Sequence, residues 1–260
     1  MPLTLIYVLT SAAAIVLIAY MLINNSPWLI ERELKMSSIR LNSNSMLVVS
    51  DLHIDANLSE LSVISELIRR GGVSAMTIAG DLFDRRVKVN DSELRMMLHW
   101  AIRRLGLIND ELTLIYVRSE SSHDPELEDY GSIKITRLNN VLVVTVPRVI
   151  KVNFPNCSSS VYIAHGDYTV SNGLLAGLIN IFSLTLLRLP IVELMTRKLL
   201  GVSDDDWVII GHTHLPAISG RFKIANPGSW KGIFFIKPYN GYVLIKCINN
   251  QLITKLSKVN

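Results

Sequence analysis

The sequence has very few cysteines, two in 260 residues. Cys157 and Cys247 stand far apart and neither belongs to a CxxC pair. That excludes a disulfide-dense scaffold and a cysteine-built structural zinc site, and leaves the expectation of two inert buried thiols. Charge is also scarce: charged residues make up 18% of the chain against 49% apolar, with a net charge of +4 that is not gathered in one run. No basic stripe interleaved with aromatics occurs, so no nucleic-acid partner is expected. Internal repeats and long low-complexity tracts are absent as well, which excludes solenoids and coiled arrays. A chain of this length holds one substantial domain with a short appendage.

Charge is missing altogether from Leu3 to Ile23. A helix of about 21 residues rising ~1.5 Å per residue reaches ~31 Å, the thickness of a bilayer's hydrocarbon core. A cleaved signal peptide would need a basic start and a small-residue cleavage site, and neither is present. The expectation is a retained single-pass transmembrane helix over residues 1–25, followed by a polar juxtamembrane linker over 26–45 and a folded domain over 46–260. Arg32, Lys35 and Arg40 follow the helix with no counterpart before it, so the positive-inside tendency puts the folded domain in the cytoplasm, with the lipid bilayer as a partner.

The folded part carries short, nearly continuous apolar runs: Met46–Val49, Met76–Ala79, Leu112–Val117, Val141–Val146, Val161–Ala164 and Trp207–Ile210. Such runs suit strands buried on both faces. Helical patterns separate several of them, over Leu58–Arg70 closed by Gly71-Gly72 and over Ser92–Leu105 closed by Gly106, giving an α/β alternation. Beyond Arg221 the pattern becomes hairpin-like, over Gly232–Ile236, Tyr242–Ile248 and Gln251–Leu256.

Five of the six histidines follow these strands within a few residues. Asp51-Leu52-His53 follows the first run, Gly80-Asp81-Leu82-Phe83-Asp84 the second, Ser122-His123-Asp124 the third. His165-Gly166-Asp167 and Gly211-His212-Thr213-His214 follow later ones, while His99 lies inside a helix. Alone, each histidine would read as a core residue paired with a carboxylate. Together at strand carboxyl ends, where open α/β sheets build their ligand crevices, they point to a shared pocket of carboxylates and imidazoles. Mixed oxygen and nitrogen donors suit borderline divalent ions, manganese first, with zinc or iron as alternatives.

The order Asp51-x-His53, Gly80-Asp81-x-x-Asp84, His123-Asp124, His165, Gly211-His212-x-His214 resembles that of the calcineurin-like metallophosphoesterase superfamily, over about Met46 to Trp230. Asn226-Pro227-Gly228-Ser229 is similar to a turn found after GHTH in several branches, including UDP-2,3-diacylglucosamine hydrolases and small phosphodiesterases. The resemblance implies a four-layer α/β/β/α sandwich and a hydrolase with two divalent metal ions. One ion would be held by Asp51, His53, Asp81 and His214, the other by Asp81, His165 and His212. The family's third motif carries a ligating asparagine where this chain has Ser122, a shorter and weaker neutral ligand. By the same resemblance His123 would protonate the leaving oxygen and Asp84 would orient His123. Asp167 is read as a partner of His165.

Arg85, Arg86 and Arg118 are candidate substrate-binding residues, able to take a further phosphate. Residues 171–200 form a helical insertion whose segment Leu174–Leu187 is nearly all apolar, yet too short to span a bilayer. It suits core packing or contact with lipid. Together with the N-terminal segment it makes a lipid-linked phosphodiester or diphosphate the leading substrate. The alternatives are soluble nucleotide-like phosphodiesters, or a metal-binding membrane scaffold weakened at Ser122. The sequence names no protein partner.

Overall fold

The computed structural model describes residues 36–56, 60–121, 123–128, 132–232 and 237–259. The transmembrane segment expected over 1–25 and the ligand expected at Ser122 lie outside these residues.

The strands are β1 (Met36–Arg40), β2 (Ser45–Val49), β3 (Ala75–Ala79), β4 (Lys88–Val89), β5 (Leu112–Val117), β6 (Glu126–Leu127), β7 (Lys134–Leu138), β8 (Val141–Val146), β9 (Val149–Asn153), β10 (Ser160–Ala164), β11 (Trp207–Ile210), β12 (Ala217–Ser219), β13 (Ile224–Asn226), β14 (Gly241–Ile248) and β15 (Gln251–Lys258). The helices are α1 (Val63–Gly71), α2 (Asp91–Arg104), α3 (Gly173–Leu187) and α4 (Ile191–Leu199).

Two sheets face each other. One has seven strands in the order β15-β14-β2-β3-β5-β8-β7, the other six in the order β1-β9-β10-β11-β13-β12. Alternate residues of the central strands point to opposite faces, so each strand feeds two cores. Met46, Val48, Ile115 and Val117 meet Val152, Val161, Ile163 and Ile209 between the sheets. Leu47, Val49, Met76, Ile78 and Leu114 turn the other way and pack under Ile64 and Ile68 of α1 and Leu94, Leu98 and Ile102 of α2. On the far side Tyr162, Val208 and Ile210 pack with Leu194 and Leu200, in and just after α4. The layers are therefore helix, sheet, sheet, helix, as the motif resemblance implies.

Local chemistry explains the helix ends. Gly72 takes the left-handed conformation that closes α1 (φ 59°). Asn90 and Glu93 form a capping box at the start of α2, a device that contributes about 1 kcal/mol.

Two expectations change. Met36–Arg40, read as linker, is strand β1 and runs parallel to β9, from Met36 opposite Val149 to Arg40 opposite Asn153. Its alternating exposed and half-buried residues mark an edge strand, which a polar composition disguises. Cys157 and Cys247, expected as thiols, are joined in a disulfide. Their separation of 90 residues hid the pairing, because connectivity follows from the fold and not from spacing.

The insertion forms α3 and α4. Among the described residues no single helix is long and apolar enough to cross a membrane, and α3 and α4 are bent by 110° at their break. Helix α3 is inverted: Ala176, Gly177, Asn180 and Ser183 face inward, while Leu174, Leu178, Leu186 and Leu187 are 47, 44, 52 and 56% exposed. Buried side chains of that size would each contribute about 1.5–3 kcal/mol, so core packing leaves much of this helix's apolar surface unused.

Candidate metal centre

The turns after β2, β3, β5, β10 and β11 bring the motif residues to one end of the sandwich. Asp51, His53, Asp81 and His214 are all buried, and one ligand atom from each lies within 4.8 Å of the others. His53 Nε2 is 3.8 Å from Asp81 Oδ2, and His214 Nε2 is 3.3 Å from Asp51 Oδ1. On the other side of Asp81, His165 Nε2 stands 3.5 Å from Oδ1, and His212 Nδ1 is 3.2 Å from that same His165 nitrogen. Asp81 thus lies between two groups of donors, the division the motif resemblance implies.

The turns that carry these groups are strained. Asp51, His53, Asp81, His212 and His214 all have positive φ, between 45° and 67°. Non-glycine residues adopt that region at a cost of order 1 kcal/mol or more each, and hold it only where the surroundings fix them. The surroundings here are specific. His53 N–H donates to Asp81 O (3.0 Å) and Trp230 N–H to Asp51 O (3.1 Å), while His212 N–H reaches both Asp51 carboxylate oxygens (3.2 Å). Two glycines permit the approach. A Cβ on Gly80 would lie 2.2 Å from His165 Nδ1, and one on Gly211 would lie 2.6 Å from Asp51 Oδ2.

Hydrogen bonding assigns the free nitrogens. His165 Nδ1 is 3.0 Å from the Ala79 carbonyl and His212 Nε2 is 2.5 Å from the Val170 carbonyl. A carbonyl only accepts, so each of these nitrogens carries the proton and the opposite lone pair is left for a ligand. The two lone pairs face each other, an arrangement that needs a proton or a cation between them. Among the described residues His53 Nε2 and His214 Nδ1 are buried without a hydrogen-bond partner. This donor set fits divalent cations.

Electrostatics agree. Burial would raise Asp81, but the imidazoles of His165 and His53 and the hydroxyls of Ser119 and Ser121 overcome it and hold the carboxyl well below its usual range. Burial pushes Asp51 up to about 6 against the pull of His165. For His165 burial opposes the cation, yet Asp81, Asp167 and Asp51 together raise it to about 10. Burial, aided by His165, lowers His212 to about 3, and burial also lowers His214 to about 4. Of these imidazoles His165 is the one whose charged form the neighbouring carboxylates favour, while burial disfavours the charged forms of His53, His212 and His214.

His123 stands at the pocket mouth with its side chain 38% exposed. Its Nδ1 is 2.7 Å from Asp84 Oδ1, which also lies 3.3 Å from His53 Nδ1. Asp84 Oδ2 accepts from Lys231 Nζ at 2.6 Å. Asp167, read as a partner of His165, instead accepts the Glu120 N–H through Oδ2 (2.7 Å) and acts on His165 through its charge.

The open pocket, about 460 Å³, is lined by His53, Asp81, His123, His212, His214 and Lys231 with Ser121 and residues Ser171 to Leu174 at the start of α3. The three candidate arginines lie elsewhere. Arg85 grips Asp55 with two hydrogen bonds (2.8 and 2.5 Å), and Arg86 and Arg118 line a separate cleft with Arg148 and Glu126.

Three contributors had no role assigned from the sequence. Ser121 donates to Asp81 Oδ1 at 2.6 Å, although the motif alignment pointed to its neighbour. Buried Asp124 accepts the N–H groups of Asp81, Leu82, Phe83 and Ser119, tying the second and third motif turns together. Lys231 follows Trp230 directly after the Asn226–Ser229 turn, and only that position could have signalled it.

In motif order and in placement, the chain resembles the calcineurin-like metallophosphoesterases. No protein-family model matches the sequence, and no curated protein does. Among solved structures, Vps29 from Chaetomium thermophilum is similar at 18% identity and TM-score 0.45, over 84% of this chain and 97% of that one. Yfce, a phosphoesterase from E. coli, is similar at 16% and 0.39, over 83% and 100%. An archaeal phosphodiesterase is similar at 13% and 0.39, over 82% and 99%.

Proposed function

We propose that the chain is a membrane-tethered phosphoesterase using two divalent metal ions, manganese first, on a lipid-linked phosphodiester or diphosphate. The observation that carries the hydrolase reading is the facing pair of lone pairs on His165 and His212 beside Asp81, next to the cluster of Asp51, His53 and His214. Divalent cations held there would supply Lewis acidity and lower the pKa of a bound water. Asp51, His53, Asp81 and His214 would hold one ion, and Asp81, His165 and His212 the other. His123 faces the pocket and, steadied by Asp84, delivers a proton to the leaving oxygen. Lys231 adds positive charge at the pocket wall, where phosphoryl oxygens gather.

The lipid reading is supported by α3. Leu174 belongs to the pocket wall and also begins the outward leucine face, so an acyl chain leaving a headgroup phosphate in the pocket meets apolar side chains at once. The uncharged run Leu3–Ile23 would keep the pocket near the bilayer. Charge around that run favours a cytoplasmic catalytic domain. The Cys157–Cys247 bridge favours the opposite side, since disulfides persist mainly in oxidising compartments. Protease protection in sealed vesicles decides between the two.

The deciding experiment for substrate uses the full chain in detergent with manganese, offered a lipid-linked diphosphate and a soluble chromogenic phosphodiester. Deleting residues 1–25, or replacing Leu174 and Leu178 by serine, is expected to cut lipid turnover much more than turnover of the soluble ester. Equal losses on both substrates would favour a soluble phosphodiester as the natural one. No hydrolysis with manganese, zinc or iron, alongside intact metal binding, would favour the scaffold reading.

A further inference from the structure

Glu193 is 1% exposed, in the second helix of the insertion. Burying a carboxylate is costly unless each oxygen is used, and here both are. Oε2 accepts from Asn180 Nδ2 of α3 at 2.5 Å, and Oε1 accepts from Thr213 Oγ1 at 3.0 Å and Asn226 Nδ2 at 2.9 Å. Asn226 Nδ2 also reaches Thr213 Oγ1 and the Gly211 carbonyl, each at 2.9 Å. Asn180 Oδ1 completes the chain by accepting the Val192 N–H at 3.0 Å.

The position of Thr213 gives this network its meaning. It separates His212 and His214, whose φ values are 67° and 58°. Two left-handed residues flanking one ordinary residue form a turn that relaxes unless something outside it holds on. Thr213 offers one side chain for that purpose, and it is bound by Glu193 and Asn226. Helix α3 backs the same turn: a Cβ on Gly177 would sit 3.2 Å from the Thr213 carbonyl, and one on Gly173 would sit 3.4 Å from the His212 carbonyl.

We infer that Glu193 is a positioning residue for the metal-binding turn. Through Thr213 it holds His212 and His214 in their strained conformations, and through Asn180 it makes the placement of those imidazoles depend on α3. This rests on His212 and His214 being metal ligands. Glu193 does not line the pocket. An apolar residue would fill the same space more cheaply, so the carboxylate is explained by the turn it grips.

The test measures the manganese dissociation constant, kcat and KM on a soluble chromogenic phosphodiester, and thermal unfolding, all on the full chain. Glu193→Ala is expected to weaken manganese binding by about 10–100-fold, the range for losing a partner behind a ligand. Turnover should fall at limiting metal and recover at saturating metal, with KM little changed. Glu193→Gln keeps Oε1 as an acceptor and should restore most of the affinity. If Glu193→Ala does not fold, Thr213→Val takes its place, because it keeps the branched shape and removes only the hydroxyl, with Thr213→Ser as its rescue. Wild-type manganese affinity in a folded Glu193→Ala or Thr213→Val protein overturns the inference, as does lowered thermal stability with unchanged affinity. A wild-type protein that binds no divalent ion overturns the metal reading itself, and that result appears before any variant is made.

Discussion

His212 Nδ1 faces His165 Nε2 across 3.2 Å, and the other nitrogen of each ring is already bound to a backbone carbonyl. Two lone pairs at that distance repel unless a positive charge lies between them. A proton on His165, which Asp81, Asp167 and Asp51 raise to about 10 against the larger cost of burial, supplies one such charge.

A cation entering must displace that proton. His165 is protonated throughout the neutral range, so apparent affinity for manganese should climb with pH and keep climbing toward about 10. His212 and His214, lowered to about 3 and about 4, are already neutral and add nothing to this slope. Calorimetry in buffers of different ionisation enthalpy should show proton release on binding. Affinity that is flat between about pH 6 and 8 would be incompatible with a proton held on His165.

Asp84 holds His53, His123 and Lys231 at once. Asp84→Asn keeps the shape and removes the charge, and turnover of a soluble phosphodiester should drop ~10–100-fold. Undiminished kcat would mean that His123 needs no orientation.

Asp124 is a structural bond between turns. Asp124→Ala strands the N–H groups of Asp81, Leu82, Phe83 and Ser119, and each buried orphan costs about 1–3 kcal/mol. Denaturant unfolding should report a loss of about 3 kcal/mol or more, while a loss under ~1 kcal/mol would mean water replaces the carboxylate without cost.

Reducing the Cys157–Cys247 bond should lower stability by about 2–4 kcal/mol, the usual range for a bridge closing a long loop. Thermal unfolding with and without a phosphine reductant measures it. Turnover below the melting transition should be preserved, and its collapse on reduction would place the bond in communication with the pocket.

The sequence made the sheets legible because their central strands are buried on both faces and so appear as unbroken apolar runs. Leu112–Val117 and Val141–Val146 have the expected boundaries, and Met46–Val49 gains one residue. Edge strands lack that signature. In β1 half-buried residues alternate with exposed serine, methionine and arginine, so nothing distinguished it from linker. The motif spacing located Asp51, Asp81, His165, His212 and His214, whose positions relative to strand ends are fixed by tight turns. It could not locate Ser121, whose reach to Asp81 depends on the curl of a turn, nor Glu193, 19 or more residues from any candidate ligand in sequence and joined to the site only by folding. The inverted helix α3 is a different case. Its leucines suited either core packing or lipid contact by composition, and only the direction each side chain faces shows that Asn180 and Ser183 took the inner side.

The disulfide joins the loop before β10 to the end of β14, where the Cys247 N–H bonds the Asn44 carbonyl just ahead of β2. Strands β2 and β10 start there and run toward the motif turns. The covalent fastening and the reactive groups therefore occupy opposite poles of the sandwich, so the molecule's durability and its chemistry can be altered independently.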